Sequence, residues 1–252
     1  MPQSSIEVSE VAGVRYLHFS SEWIQGAMRI ARPWALELDY TREMMACLLL
    51  KPEAEWPRRV LLIGLGAGSL VKFLFRHRPQ AQLTVVEINA QVVAAARQHF
   101  KLPEDEQRLR ILIDDGVRYV QTTTERYDLI LVDGFDAKGR AGALDTQPFY
   151  EACRARLESD GIMSVNLLGH SRGIRGAVAR IQAAFDDRTL ALPSCDAGNT
   201  VVFAARGARI EHALGSLKLA TRSLQQETGL NLRPTLARME QAGTCAGGML
   251  RL

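Results

Sequence analysis

The chain of 252 residues is most informative at first through what it has little of. Its four cysteines, Cys47, Cys153, Cys195 and Cys245, stand far apart with no CxxC pair. That excludes a zinc knuckle and a small disulfide scaffold, and leaves reduced, buried thiols as the expectation. Aromatic residues make up only 6% and the formal net charge is a mild +3. Basic residues are scattered through helical segments, with no long cationic run interleaved with stacking rings, so no nucleic-acid partner is expected. No apolar run approaches the roughly eighteen residues of a membrane span. The opening MPQSSIEVSEVAG has neither a basic start nor an apolar core, so neither secretion nor membrane insertion is expected and the location reads as cytoplasmic. The histidines His18, His77, His99, His170 and His212 show no metal-ligand spacing, and no metal is expected. Arg76, His77 and Arg78 read as the solvated end of a helix.

What the chain does have is enough apolar sequence, 47%, for one large core. Residues 6–30 read as short strands, Ile6–Val8, Val14–Leu17 and Trp23–Gln25, separated by turn-formers. Asp39 to Leu50 reads as one helix capped by Asp39, ended by Pro52 and Pro57. Residues 1–50 are thus expected to be a small β segment plus a helix, and residues 51–252 the main domain. There, compact apolar runs at 60–65, 83–88, 111–113 and 129–132 alternate with helical segments at 70–77, 90–99 and 117–123. Unbroken apolar runs suit parallel strands covered on both faces, and the alternation predicts an α/β, Rossmann-like doubly wound sheet. A helix at 149–157, a strand at 161–167, a helix at 177–185 and an antiparallel pair at 189–192 and 200–204 extend the series, and the tail from Arg209 reads as helical.

The chemistry concentrates at the carboxyl ends of the strands. Gly64, Gly66 and Gly68 in GLGAGS fall where the first strand turns into a helix; such glycines permit a tight turn and close approach of a ligand. The spacing is GxGxG, not GxGxxG, and no Walker lysine follows, so an adenosine ligand without pyrophosphate fits better than a dinucleotide. Glu87, twenty-three residues after Gly64, ends the next strand and can accept both ribose hydroxyl protons. Asp115 before Gly116 can accept from an adenine amino group or simply cap a helix, and both roles stay open. Asp133 and Asp136 in VDGFD follow the fourth strand. One carboxylate can take a proton from an amine and the other can orient an ammonium group, although a solvated strand-end turn would look the same.

Taken together, residues 60–166 resemble the core of the spermidine synthase (aminopropyltransferase) family. The glycine turn, VVEIN, the Asp115–Gly116 pair and VDxxD fall in the family's order. The stretch AKGRAGALDTQPFYEACRARL resembles its gate loop and following FYxxC helix, and REMMA resembles an early HEM(L/I)A helix. The likeness runs over residues 5–205. It implies a methyltransferase-like fold, decarboxylated S-adenosylmethionine or S-adenosylmethionine as co-substrate, a small-molecule amine acceptor, and a homodimer. On that mapping Asp133 is the catalytic aspartate and Asp136 binds the amine. Gln25 stands near the sulfonium, Glu87 holds the ribose, and Asp115 with Gly116 faces the adenine. Tyr40 and Tyr150 are candidate substrate contacts, with Gln147 beside the gate. The departures are Ala67, where the family carries an aspartate for the aminopropyl ammonium; Ala137, in place of a proline; Thr41 at the early tyrosine's place, with Tyr40 beside it; and PSCDAGN at 193–199, without the family's tryptophan. An acceptor end altered in this way leaves alternatives: methyl or aminocarboxypropyl transfer from intact S-adenosylmethionine, a noncatalytic nucleoside-binding protein, and, more remotely, an NAD-linked oxidoreductase.

Overall fold

A computed structural model describes residues 6–19, 24–136, 138–169, 171–195 and 198–252, with Ser171 described in its backbone alone. Trp23 of the expected third strand, Ala137, His170, Asp196 and Ala197 therefore lie outside the described residues. The chain opens with an antiparallel meander, β1 (Ile6–Val11), β2 (Val14–Phe19) and β3 (Ile24–Arg29). Two short helices follow, α1 (Asp39–Met44) and α2 (Cys47–Leu50).

The main sheet alternates as the apolar runs predict: β4 (Arg59–Ile63), α3 (Ser69–His77), β5 (Gln82–Glu87), α4 (Ala90–His99), β6 (Leu109–Ile113), α5 (Gly116–Thr122), β7 (Tyr127–Val132), α6 (Gln147–Arg156), β8 (Leu157–Leu168), α7 (Ser171–Ala184), β9 (Thr189–Ala191) and β10 (Asn199–Ala205). Its strand order is β6-β5-β4-β7-β8-β10-β9, parallel from β6 to β8, with β10 antiparallel to both of its neighbours. Side chains alternate faces along each strand. Val60 and Leu62 accordingly enter one core with Phe73, Leu74 and Val92, while Leu61 and Ile63 enter the other with Tyr119, Phe149 and Ile181. Both faces are covered, which is why these strands carry no polar alternation.

The order reverses between β4 and β7, because the chain goes outward through β5 and β6 and then returns to the other side of β4. In open α/β sheets this switch point is where ligands bind, at the carboxyl ends of the strands. Gly64 and Asp133 stand there, joined by a bond from the Asp133 amide to the Ile63 carbonyl (2.9 Å).

Three expectations need correction. The helix expected over Asp39–Leu50 breaks after Met44. Asp39 is not its cap: Leu38 occupies that position without a side-chain bond, and Asp39 pairs with Arg42. Met44 to Leu50 are buried without interruption, so packing against β8, β10 and the tail sets the path in place of helix periodicity. The tail is helical in α8 (Leu214–Thr228) and α9 (Arg233–Gln241), but β11 (Glu211–Ala213) and β12 (Met249–Arg251) also pair within it. Finally, Arg78 is not solvated. It is buried, donates to the Trp56 carbonyl (3.0 Å) and pairs with Glu227 of α8 (2.7 Å). No helix among the described residues is long and apolar enough to cross a membrane, and those residues hold no group of three or more potential metal ligands.

Candidate active site

The glycine turn brings two strand ends into contact. Gly64 sits at φ +93°, and a Cβ there would intrude on the Asp133 carbonyl oxygen, so only glycine permits both the turn and the approach of β7. Glu87, 7% exposed, ties the same turn to β5: its Oε2 accepts from the Leu65 amide and its Oε1 from the Asn89 amide, both at 2.9 Å. Burial raises the Glu87 pKa while these amides lower it, and the net direction is upward. A carboxylate has about four acceptor positions, so two amide bonds leave capacity for a ligand's hydroxyls. Asp115 does cap α5, its Oδ1 accepting from the Val117 (2.7 Å) and Arg118 (3.1 Å) amides. Both capping bonds use one oxygen, which leaves Oδ2 to the crevice. Gln25, Gly64, Gly66, Glu87, Asp115 and Gly116 all line one cavity of about 280 Å³, which Asp133 also borders. Gly68 lies behind it, packed on Leu102.

A second cavity, of about 410 Å³, opens on the other side of Asp133 and is walled by Leu38, Tyr40, Phe135, Asn166, Leu168 and Asn199. Gln25 and Asp133 belong to both cavities and to a cleft of about 20 Å³ between them, which Ala67 also lines. Asp133 thus stands at the junction. Its Oδ2 accepts from the Tyr40 hydroxyl (3.2 Å) and its Oδ1 from the Asn166 amide nitrogen (2.9 Å). It keeps a strip of surface facing the cavities but is otherwise enclosed by protein. Burial raises its pKa above the ordinary carboxylate value, and the Asn166 and Tyr40 bonds only partly oppose this. Burial and then the Asp133 charge push the Tyr40 hydroxyl well above its own usual range. Thr41 lines the small cleft but its hydroxyl donates to the Leu38 carbonyl (2.6 Å), and Tyr40 is the α1 residue that bonds Asp133.

Other expected residues are placed differently. Asp136 is exposed in the loop after β7 and bound up with that loop: Oδ1 accepts from the Lys138 (2.8 Å) and Arg140 (3.0 Å) amides, and Oδ2 pairs with the Arg140 guanidinium at 2.7 Å. Slight burial raises its pKa, but the Arg140 and backbone bonds outweigh this and the carboxyl sits below its ordinary value. It borders the 280 Å³ cavity, and to hold an ammonium group it must first exchange Arg140. Tyr150 is not brought to the crevice. Its ring is fully buried in the other core, and its hydroxyl donates to Asp145 (3.0 Å), which pairs with Arg180. Gln147 donates to Glu151 (2.9 Å) on its own helix. Asn166 escaped the sequence reading. Its signal was faint, the one amide in the apolar strand IMSVNLL.

A family model described as the spermine/spermidine synthase domain matches residues 38–169. The polyamine aminopropyltransferase of Chromobacterium violaceum is 34% identical over 250 residues, covering 99% of this chain and 94% of the relative. That of Neisseria meningitidis serogroup B is 34% identical over 232 residues, covering 92% and 88%. Among solved structures, a probable spermidine synthase from Corynebacterium glutamicum superposes with a TM-score of 0.73 at 21% identity, covering 87% of this chain and 83% of the other. Human methyltransferase-like protein 13 in complex with SAH gives 0.67 at 22%, covering 77% and 93%. At those identities the structures show the fold alone. With a family model spanning more than half of the chain and relatives a third identical along nearly all of it, the chain belongs to the spermine/spermidine synthase family.

Proposed function

We propose that this protein moves the aminopropyl group of decarboxylated S-adenosylmethionine onto a small amine, the adenosyl portion lying in the 280 Å³ cavity and the acceptor entering through the 410 Å³ cavity. One observation carries the reading: a mostly enclosed carboxylate at the junction of the two cavities, held, among the described residues, by the neutral donors Tyr40 and Asn166. A buried anion without a cation is costly, so the pocket favours cationic ligands such as an alkylammonium or a sulfonium. An amine with a pKa near 10.4 costs about 4 to 5 kcal/mol to deprotonate at pH 7, and a nearby base whose pKa is raised toward the working pH removes part of that barrier. Asp133 takes the proton; the nitrogen lone pair attacks the methylene next to sulfur; the carbon–sulfur bond breaks and its electrons neutralise the sulfonium, which leaves as methylthioadenosine. The remaining catalysis is the alignment of two reactants.

Ala67 supports a second reading. Its methyl is buried against β3, where a Cβ on Gly26 would come within 2.6 Å of it, and among the described residues lining that cleft Asp133 is the only carboxylate. Discrimination against intact S-adenosylmethionine is therefore weaker, and methyl or aminocarboxypropyl transfer is the alternative. Residues 1–50 belong functionally with the main domain, since Gln25 and Tyr40 border the site. On family grounds we read the protein as a cytoplasmic homodimer that acts on small molecules and needs no metal.

Product analysis with both donors and putrescine decides between these readings. We expect methylthioadenosine and an aminopropylated amine from the decarboxylated donor, and a loss of about 100-fold or more in kcat/KM for Asp133→Asn. Methylated or aminocarboxypropylated product would favour the alternative. Full activity in the Asn variant would remove Asp133 from the chemistry.

A further inference from the structure

Behind Asp133 the bonding does not stop at Asn166. The Asn166 side-chain oxygen accepts from the Asn199 side-chain nitrogen at 2.9 Å, so two amides in series back the carboxylate. Asn166 lies in β8 and Asn199 at the start of β10, neighbouring antiparallel strands whose register pairs Asn199 with Leu168 and Val201 with Asn166. The two residues are 4% and 6% exposed, the little surface they keep bordering the 410 Å³ cavity.

We propose that Asn199 is a positioning residue for the transfer: by donating to Asn166 it fixes the direction of that amide, so that Asn166 presents its nitrogen to Asp133 and favours the proton-accepting carboxylate. The inference rests on the reading of Asp133 as the base. A carboxylate only accepts, whereas a primary amide donates from nitrogen and accepts at oxygen, and its two ends have nearly the same shape. The contact of Asn166 with Asp133 therefore leaves its orientation undecided; the group on its far side decides it. A donor there occupies the Asn166 oxygen and turns the nitrogen toward Asp133. An acceptor there would capture the nitrogen and turn the oxygen toward Asp133, a contact that suits only the protonated acid.

Among the described residues, the other charged or titratable groups around Asp133 leave this role open to Asn199. Tyr40 from α1 donates to the other carboxylate oxygen, and buried Cys195 before β10 interacts with Tyr40. Glu87 at the end of β5 is bound by backbone amides. Asp136 is paired with Arg140, and at the cavity mouth Glu37 and Asp39 are paired with Arg29 and Arg42.

The test uses the full chain with Asn199→Leu, which removes the donor, and Asn199→Asp, which replaces it with an acceptor. For each we would record kcat/KM for aminopropyl transfer from pH 6 to 10, with a thermal melt. The acid limb should move to higher pH in both variants, further in Asn199→Asp. With each enzyme normalised to its own alkaline plateau, Asn199→Leu should fall about tenfold below the wild type at the acid end, the size expected for a lost bond to a charged group. A folded variant that loses rate equally at every pH, or none at all, would overturn the relay, since a structural role predicts that pattern. Should neither variant fold, Asn199→Ala, which also removes the donor, carries the same expectation as Asn199→Leu. The ¹³C carboxyl titration of Asp133, identified by its loss in Asp133→Asn, separates the two layers. If the wild type catalyses no transfer the proposed function fails, yet the relay still requires that titration to move upward in the Asn199 variants, and a fixed titration sinks it.

Discussion

At the scale of single residues, Asp133 makes the protein less stable than it need be. Its raised pKa means that between the ordinary aspartate value and the raised one the folded state holds a proton that the unfolded state has released, so stability falls as pH rises through that window. Asp133→Asn removes this titration. The variant should melt at the same or a higher temperature than the wild type at neutral pH, with the advantage disappearing toward pH 4, while transfer is lost; calorimetry across pH measures both limbs. The residues legible in the chain were those whose roles depend on their own strand end: Gly64, Glu87, Asp115 and Asp133 all sit at the switch point or beside it. Asp136 and Tyr150 were legible as residue types but not as partners, because Arg140 and Asp145 reach them only through a loop turn and a core contact.

At the scale of elements, α3 and α4 are joined by a buried lysine. Lys72, 1% exposed, donates to the Phe100 carbonyl at the end of α4 (2.8 Å), and burial lowers its pKa to about 7. The unfolded chain holds that proton up to about pH 10.4, so the folded protein gains stability as pH rises from about 7 toward that value and carries the full cost of a buried charge below it. Lys72→Met should therefore raise the melting temperature at pH 6, and the gain should shrink by pH 9; differential scanning at the two pH values checks it. Strand and helix types in this region followed from apolar runs, whereas the break between α1 and α2 did not. Residues 44–50 are apolar on all sides, and periodicity carries no signal where every face is buried.

At the scale of the whole molecule, the C-terminal helices hold the early helix that supplies Tyr40. Arg238 of α9 pairs with Glu43 of α1, which is 2% exposed. Burial raises the Glu43 pKa and the Arg238 bond lowers it, with burial the larger effect. Arg238→Met leaves Glu43 buried without its cation, with the Thr235 side chain still bonded to it. We expect a loss of about 2 to 4 kcal/mol, smaller at acid pH where Glu43 is protonated, measured by urea unfolding at pH 5 and pH 8. Transfer should fall with it if α1 shifts, because Tyr40 lies three residues before Glu43 on the same helix.

The order of apolar runs, the glycine turn after the first of them and the carboxylates at strand ends determined the doubly wound sheet and the nucleoside side of the site. Those features are local: each depends on one strand and the turn that follows it. The tertiary structure decided which donors meet Asp133 on the acceptor side, where the sequence offered Tyr40 only as a candidate contact. Tyr40 and Asn166 reach Asp133 from a separate helix and a further strand, across 93 residues of chain in the first case, and Asn199 reaches it only through Asn166. Which hydrogen-bond donors surround a carboxylate is a property of the space around it, and in this chain that space is filled by segments whose own sequences carry no mark of one another.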